Sequence, residues 1–338
     1  MADCDADPAI MVWARRYARN PQQFENQLDD VLPRLVYVQR VAAQYDVAGE
    51  FVLLPWVESH FQTAPRRRNR PAGIWQIMPA TAGSMGLRVT SRYDGRLDVS
   101  ASAHAVMKLL KAYHDQFHDW RVADYAYNAG EFRIRQLVQT RGMPTDVPVI
   151  PRWPVQKVTR EHLTRLLAIA CIVREPERFN VSLPSLPKDQ QLVQVSLARS
   201  MPMAQAAHHA GMSIDTLREL NAGFRNDTID VDAAPYVLLP ASHVDQFRAA
   251  LSGQTFRQTG VDANAGVSTS TAVAATGHPV AVAKPAQPIQ RTHRVKHGES
   301  LWQIAHRYSV DVTQLQRWNH LRGGSLKPGQ ILQLSDAD

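Results

Sequence analysis

From Ser252 to Arg291 the sequence is dominated by Ala, Thr, Ser, Gln, Gly and Pro, with one Phe and no Leu, Trp or Tyr. Such a segment cannot bury enough apolar surface to offset the entropy of ordering it, so it reads as a flexible linker. No single core can therefore run the length of the chain. A compact unit, Thr292 to Leu334, follows the linker. The part before it is divided again at Leu183-Pro184-Ser185-Leu186-Pro187, a Pro-punctuated connection after a helical run. A chain of 338 residues has room for two or three domains.

Apolar residues make up 44% of the chain and charged residues 20%, values that exclude a collagen-like or wholly disordered protein. No run of about eighteen apolar residues exists to span a bilayer as a helix. The net charge of +7 suits nucleic acid, an anionic membrane surface or a bacterial wall, and does not choose among them. Two cysteines, Cys4 and Cys171, are too few for a disulfide framework, and no Cys/His spacing suggests zinc. The opening residues MADCDADPAI show neither a basic n-region nor an apolar h-region, so no secretory signal is readable. Cys4 sits where a processed lipoprotein carries its lipidated cysteine, although Met1-Ala2-Asp3 do not form a lipobox.

The region before Leu183 is predicted to be mostly helical. Leu35, Val38, Ala42 and Tyr45 fall at helical spacing, as do Ala103, Val106, Leu110, Tyr113 and Phe117. Further helices are expected from Trp120 towards Val138 and from Thr159 to Val173. After Pro187 the terminal unit has a counterpart. An offset of 98 residues pairs Met203 with Leu301, Gln205 with Gln303, Leu217 with Leu315 and Asn221 with Asn319. Each copy opens and closes on a short apolar segment, with two short helices between them. The pattern predicts a strand–helix–helix–strand module in which two helices cover a two-stranded sheet. The two copies are expected to be independent beads. Met203 to Leu217 also patterns as a helix-turn-helix with Gly211 at the turn. Its second helix offers Asp215, Arg218 and Glu219, a poor donor set for phosphates and base edges, and the repeat accounts for the same residues better. No nucleic-acid partner is expected.

The candidate chemistry lies in the helical region. The apolar run Phe51 to Val57 ends in Glu58-Ser59-His60-Phe61; then come Gly73-Ile74-Trp75-Gln76-Ile77-Met78-Pro79 and, later, Ala126-Tyr127-Asn128-Ala129-Gly130. Glu58 is an acid at the end of an apolar helix, where partial burial favours the protonated form needed of a general acid. Taken singly, such a Glu is most often a surface charge at a helix end. Taken with the other two segments it resembles the soluble lytic transglycosylase family, with its lysozyme-like helical fold. The agreement runs from about Leu53 to Val138 and continues more weakly to Phe179, with Asp94, Arg96 and Asp98 in the family's acidic segment.

The terminal unit, Val295-Lys296-His297-Gly298-Glu299-Ser300-Leu301-Trp302 through Asn319 to Leu326-Lys327-Pro328-Gly329, resembles the LysM module, which binds N-acetylglucosamine-containing glycans. The earlier copy is a degenerate relative without the Gly-Glu-Ser opening. The order of parts resembles the membrane-bound lytic murein transglycosylases. The expected architecture is α+β and multidomain. It comprises an N-terminal helical extension at 1–45, a mainly α, lysozyme-like catalytic domain at 46–183 and a degenerate LysM-like module at 190–241. A linker at 252–291 and a LysM module at 292–335 follow, both modules being βααβ.

The resemblance implies cleavage of the β-1,4 bond between N-acetylmuramic acid and N-acetylglucosamine, with Glu58 as the single acid and base. Ser59, Gln76, Tyr127 and Asn128 would hold the sugar and orient the acid; Ser59 and Asn128 read alternatively as helix caps. The family's later motif, Glu-Thr-x-x-Tyr-Val, corresponds here to Val158-Thr159-Arg160-Glu161-His162-Leu163. His162 thus replaces the tyrosine, and Tyr125 is a candidate to supply the missing hydroxyl. In the LysM module the glycan groove implies Gly298, Glu299, Ser300, Leu301, Leu326, Lys327 and Pro328, while Trp302 and Trp318 read alternatively as core. Arg66-Arg67-Arg68-Asn69-Arg70 reads as a solvated basic loop or a contact for stem-peptide carboxylates. No metal or cofactor is implied, and the implied partner is peptidoglycan, met by a monomer in the cell envelope, with a lipid anchor as the route to a membrane. The alternative readings are a hydrolytic muramidase on the same scaffold and a non-catalytic wall-binding protein.

Overall fold

Leu28, Val31, Leu32, Val38, Val41 and Ala42 recur three and four residues apart, and this buried stripe builds the long helix α2 (Pro21–Gln44). The computed structural model describes residues 3–63, 70–259, 292–295, 304, 308, 315, 317–321, 326–327 and 329–334, with the backbone alone for 254–259. Two units result, Met1–Asn264 and Ala265–Asp338. In the first, α1 (Pro8–Tyr17) and α2 both begin on an Asp or Asn cap followed by proline, Asp7-Pro8 and Asn20-Pro21. A 3-10 turn at Gly49–Leu53 then runs into α3 (Leu54–Ser59), followed by α4 (Pro79–Ser84), α5 (Val99–Phe117) and α6 (Trp120–Ala129). The predicted single helix from Trp120 to Val138 is broken. Gly130, at φ +92°, ends α6 and α7 (Glu131–Arg141) starts afresh. Helix α8 (Lys157–Arg174), with eleven buried residues, forms the centre of the core.

Ile10 and Ala14 of α1 and Phe24 and Leu28 of α2 belong to the same core as Trp56, Met107 and Leu167, so the first forty-odd residues are part of the helical body. Helix α1 lies along α8, and there Cys4 and Cys171 form a disulfide across 167 residues, their Cα atoms 5.4 Å apart. Two cysteines make no framework, and the one bond they form was not read from the sequence. Residues distant in sequence are brought within bonding reach by helix packing, and Cys4 has no free thiol to carry a lipid.

The first repeat copy has the predicted order: β1 (Leu192–Ser196), α9 (Met203–Ala210), α10 (Ile214–Leu220) and β4 (Tyr236–Pro240), with β1 and β4 antiparallel. Short strands β2 (Met201–Pro202) and β3 (Thr228–Ile229) pair within it. Helix α11 (Val244–Thr259) follows and covers the first residues of the predicted linker. The rest of that linker, 260–291, lies outside the described residues. This module is no independent bead. Backbone bonds join Asp94 N to the Gly223 carbonyl and Arg225 N to the Arg92 carbonyl, Arg34 pairs with Glu219, and Arg40 donates to the Leu192 carbonyl. At the centre of the junction buried Asp98, which caps α5 through the Ala101 N–H, accepts from Tyr93 at 2.7 Å and from Tyr236 at 3.0 Å. Gly223 allows this close approach: a Cβ there would stand 2.9 Å from the Tyr93 ring and 3.0 Å from Asp98 Cβ, forcing a neighbour to shift.

In the second unit β5 (Thr292–Arg294) and β6 (Ile331–Gln333) pair antiparallel over Val295, Ile304, Leu315 and Leu332. Asn319 donates to the Leu315 and Gln333 carbonyls and accepts from Gln333 N. Its counterpart Asn221 does the same with Leu217 and Leu238. The repeated asparagine is a side-chain clamp between helix and closing strand.

Reducing the disulfide, or substituting Cys171→Ala, is expected to lower stability by about 2–4 kcal/mol. Urea unfolding with and without reductant measures this. An unchanged midpoint in wild type on reduction would contradict the pairing.

Candidate active site

Helix α3 buries Leu54, Pro55 and Trp56 and ends after Ser59, because His60 and Phe61 both take left-handed backbone conformations, at φ 53° and 59°. Fully buried Phe61 anchors that reversal. Glu58 thereby stands at the rim of the core, its side chain 17% exposed.

The Gly73–Gln76 segment forms a tight turn closed by two backbone bonds between Ala72 and Ile77. Gly73 has φ +74°, and a Cβ there would lie 1.7 Å from the Arg96 carbonyl oxygen. Only glycine fits. Ile74 and Trp75 point into the core, and the three carbonyls of the turn each accept from a side chain predicted for the site. Gln76 Nε2 donates to Gly73 O at 2.9 Å, Ser59 Oγ to Ile74 O at 2.8 Å, and the Tyr127 hydroxyl to Trp75 O at 2.8 Å. Gln76 thus closes the turn on itself, while Ser59 and Tyr127 stitch it to α3 and α6. Ser59 is not a helix cap, and Asn128 lies half-buried in the last turn of α6, where Gly130 is the cap.

The turn is also held from below. Arg96, buried with its partner Asp94, makes a two-pronged pair at 2.9 and 2.8 Å and donates to the carbonyls of Arg70 and Ile77. Arg225 of the docked module binds the same Asp94. Asp94 is held below the usual carboxylate range: burial alone raises it, and the two arginines outweigh burial.

His162 of α8 joins the site. Its Nε2 lies 3.0 Å from Glu58 Oε1 and its Nδ1 lies 3.0 Å from Asp124 Oδ1. Burial opposes the ring's charge, but Asp124 and Glu58 overcome it and push the histidine up to about 10. Burial also pushes the Tyr127 hydroxyl well above its ordinary value, and Glu58 and Asp124 add to this, so it remains a donor. Tyr125 does not supply the missing hydroxyl. It is fully buried against Trp153 and donates to the Pro151 carbonyl at 3.0 Å. Residues two apart on a helix face different ways, whereas Asp124, Tyr127 and Asn128 share one face at i, i+3 and i+4. The sequence reading missed Asp124. Its signal was a lone carboxylate among Val122, Ala123, Tyr125 and Ala126 on the apolar side of α6.

A cavity of about 850 Å³ flanks α3 between Arg34, Trp56, His60 and Glu219. Glu58 does not line it. Arg66 to Asn69 lie outside the described residues, as do Gly298, Glu299, Ser300, Leu301, Trp302 and Pro328. Leu326 and Trp318 pack partly buried against the second module's core, and Lys327 is exposed.

The transglycosylase SLT domain family matches residues 37–146, which hold Glu58, the Gly73 turn and Asn128. The LysM-like domain of lytic transglycosylase MltD matches 191–254, and the LysM domain matches 293–335. Membrane-bound lytic murein transglycosylase D of Escherichia coli is 32% identical over 322 residues, covering 94% of this chain and 67% of that protein. The chain belongs to the lytic murein transglycosylase D family. It is a lytic transglycosylase with a mainly helical SLT region followed by LysM-type modules. A stretch of 44 residues is also similar to N-acetylmuramoyl-L-alanine amidase sle1 of Staphylococcus epidermidis, at 41% identity, 13% of this chain and 14% of that protein. The E. coli family member is named as membrane-bound. Among the described residues here no helix is long and apolar enough to cross a membrane.

Two outcomes follow from this geometry. Gly73→Ala is expected to cost well over about 1 kcal/mol, and Arg96→Ala about 3–5 kcal/mol, because each removes a support of the same turn. Thermal unfolding checks both. The raised His162 makes a stability contribution that is whole below its ordinary 6.5 and is lost as pH climbs towards about 10. Unfolding free energies measured from pH 6 to 10 should fall in wild type and lose that component in His162→Phe.

Proposed function

We propose that the chain cleaves the β-1,4 bond between N-acetylmuramic acid and N-acetylglucosamine and leaves 1,6-anhydro-muramic ends, with Glu58 as the only acid and base. One observation carries the reading. Glu58 reaches solvent, whereas Asp124, the carboxylate joined to it through His162, is buried, and Asp94 and Asp98 are likewise buried and engaged by Arg96 and by tyrosines. A glycosidase that adds water through two carboxylates needs both at the sugar. With one, the proton that Glu58 gives to the leaving oxygen must return to it from a nucleophile already positioned. The C6 hydroxyl of the same muramoyl residue is such a nucleophile, and its closure on C1 adds no water. Ser59 and Tyr127 tie the turn to α3, which carries Glu58, and to α6, where Asn128 shares the face of Tyr127.

The LysM module adds glycan affinity through Gly298, Glu299, Ser300, Leu301, Leu326, Lys327 and Pro328, raising effective concentration at the wall without a new contact at the active site. The disulfide suits an oxidising compartment outside the cytoplasmic membrane, which is where peptidoglycan lies. With Cys4 paired, any lipid anchor would need another attachment point.

Digesting purified sacculi and weighing the fragments tests the reading. Anhydro-muropeptides, one water lighter than hydrolytic products, are expected, and Glu58→Gln should release none. Reducing ends alone would point to the hydrolytic muramidase; release undiminished by Glu58→Gln would remove Glu58 from its role.

A further inference from the structure

We infer that Asp124 and His162 are positioning residues for Glu58: Asp124 anchors the imidazole through Nδ1, and Nε2–H grips Glu58 Oε1, leaving Oε2 to trade a proton with the glycan. The inference rests on Glu58 being the acid and base.

The geometry runs from the core outward. Asp124 is fully buried; among the described residues its Oδ1 meets His162 and its Oδ2 has no hydrogen-bond partner. A buried carboxylate with one partner is costly unless that partner is a cation. His162 is 6% exposed and is faced by Asp124 and Tyr127 from α6 and by Glu58 from α3. The Tyr127 ring stacks at 6.3 Å and its hydroxyl is directed to Trp75 O. With a carboxylate at each ring nitrogen, an imidazolium donating twice pairs both nitrogens and sets a cation beside buried Asp124. The opposed effects of burial and the two carboxylates on this ring resolve in the same direction.

An imidazolium at Oε1 interacts more strongly with Glu58 as carboxylate than as acid. In the bond-breaking step the proton leaves Oε2 for the glycosidic oxygen, and the charge that develops on Glu58 is met by a donor already in place. In the closing step the C6 hydroxyl proton returns to Oε2. His162 keeps both of its protons throughout, so the protons balance over the cycle with no other reactant. A tyrosine at 162 would offer Glu58 a donor without the charge and would leave Asp124 without a cation. The histidine and the buried aspartate are therefore one device.

The test measures kcat and KM on uncross-linked glycan strands from pH 4 to 9 for the full chain, with thermal melts of each variant alongside. His162→Phe is expected to lower kcat about 100-fold with KM within about twofold, the scale of removing one preorganised donor. His162→Tyr should recover a large part of that rate, with the alkaline fall of activity moved up because a neighbouring cation is gone. Asp124→Asn should shift the profile in the same direction. Wild-type kcat in His162→Phe, or an unmoved profile in His162→Tyr, overturns the inference; the second readout decides even if Asp124→Asn does not fold. Glu58→Gln separates the two levels. If it is inactive while His162→Phe is fully active, only the positioning role fails; if it still yields anhydro products, the acid/base reading itself fails.

Discussion

The buried pair of Arg96 and Asp94 is the interaction on which the rest of the site depends. One guanidinium satisfies a carboxylate with two bonds and two carbonyls, of Arg70 and Ile77, with the others. Those carbonyls flank the turn that carries Gly73, Ile74, Trp75 and Gln76. Gly73 must be glycine because the Arg96 backbone occupies the place of its Cβ. From this turn, three carbonyls fix Ser59, Gln76 and Tyr127, and through α3 and α6 they fix Glu58 and Asn128. A buried ion pair is poor evidence for net stability, since desolvating both charges is costly. Here its value is geometric: the planar fork aims at three acceptors at once.

The docked module extends the same network. Arg225 meets Asp94, and Tyr236 meets Asp98, so two neighbouring aspartates of the helical body are each completed by a side chain from beyond residue 190. The first repeat copy therefore serves as a wall of the catalytic body. Burying Asp98 under two tyrosines raises it above the usual carboxylate range, burial being the larger effect. Separating the module would expose Tyr93, Phe224 and Leu238 together. Such a junction is coupled, and its loss would be felt at the Gly73 turn.

Much of the fold was legible. Helical spacing marked α2, α5 and α8, and the 98-residue offset marked both modules down to the paired asparagines Asn221 and Asn319. Periodicity reports which face of an element is buried, and a repeat reports that two segments solve the same packing problem. Neither reports which segments meet. The break at Gly130, the Cys4–Cys171 bond and the docking of the first module all depend on contacts between residues far apart in sequence. Composition around Leu183–Pro187 read as a Pro-punctuated connection between separate parts. The aspartates and tyrosines that lock it are scattered over some 140 positions between Tyr93 and Tyr236.

The same division holds at the site. The sequence by itself determined that the chain carries a transglycosylase-type set, Glu58-Ser59, Gly73 to Gln76 and Tyr127-Asn128, because those residue types in that order are a signature independent of geometry. Only the tertiary structure decided what each does. It turned Ser59, Gln76 and Tyr127 towards the turn's carbonyls and sent Tyr125 to the opposite side of α6. It placed His162 between Glu58 and an aspartate that no motif had marked. A side chain's role is set by what faces it in the packed core, and the packing of α3, α6 and α8 is a property of the whole chain.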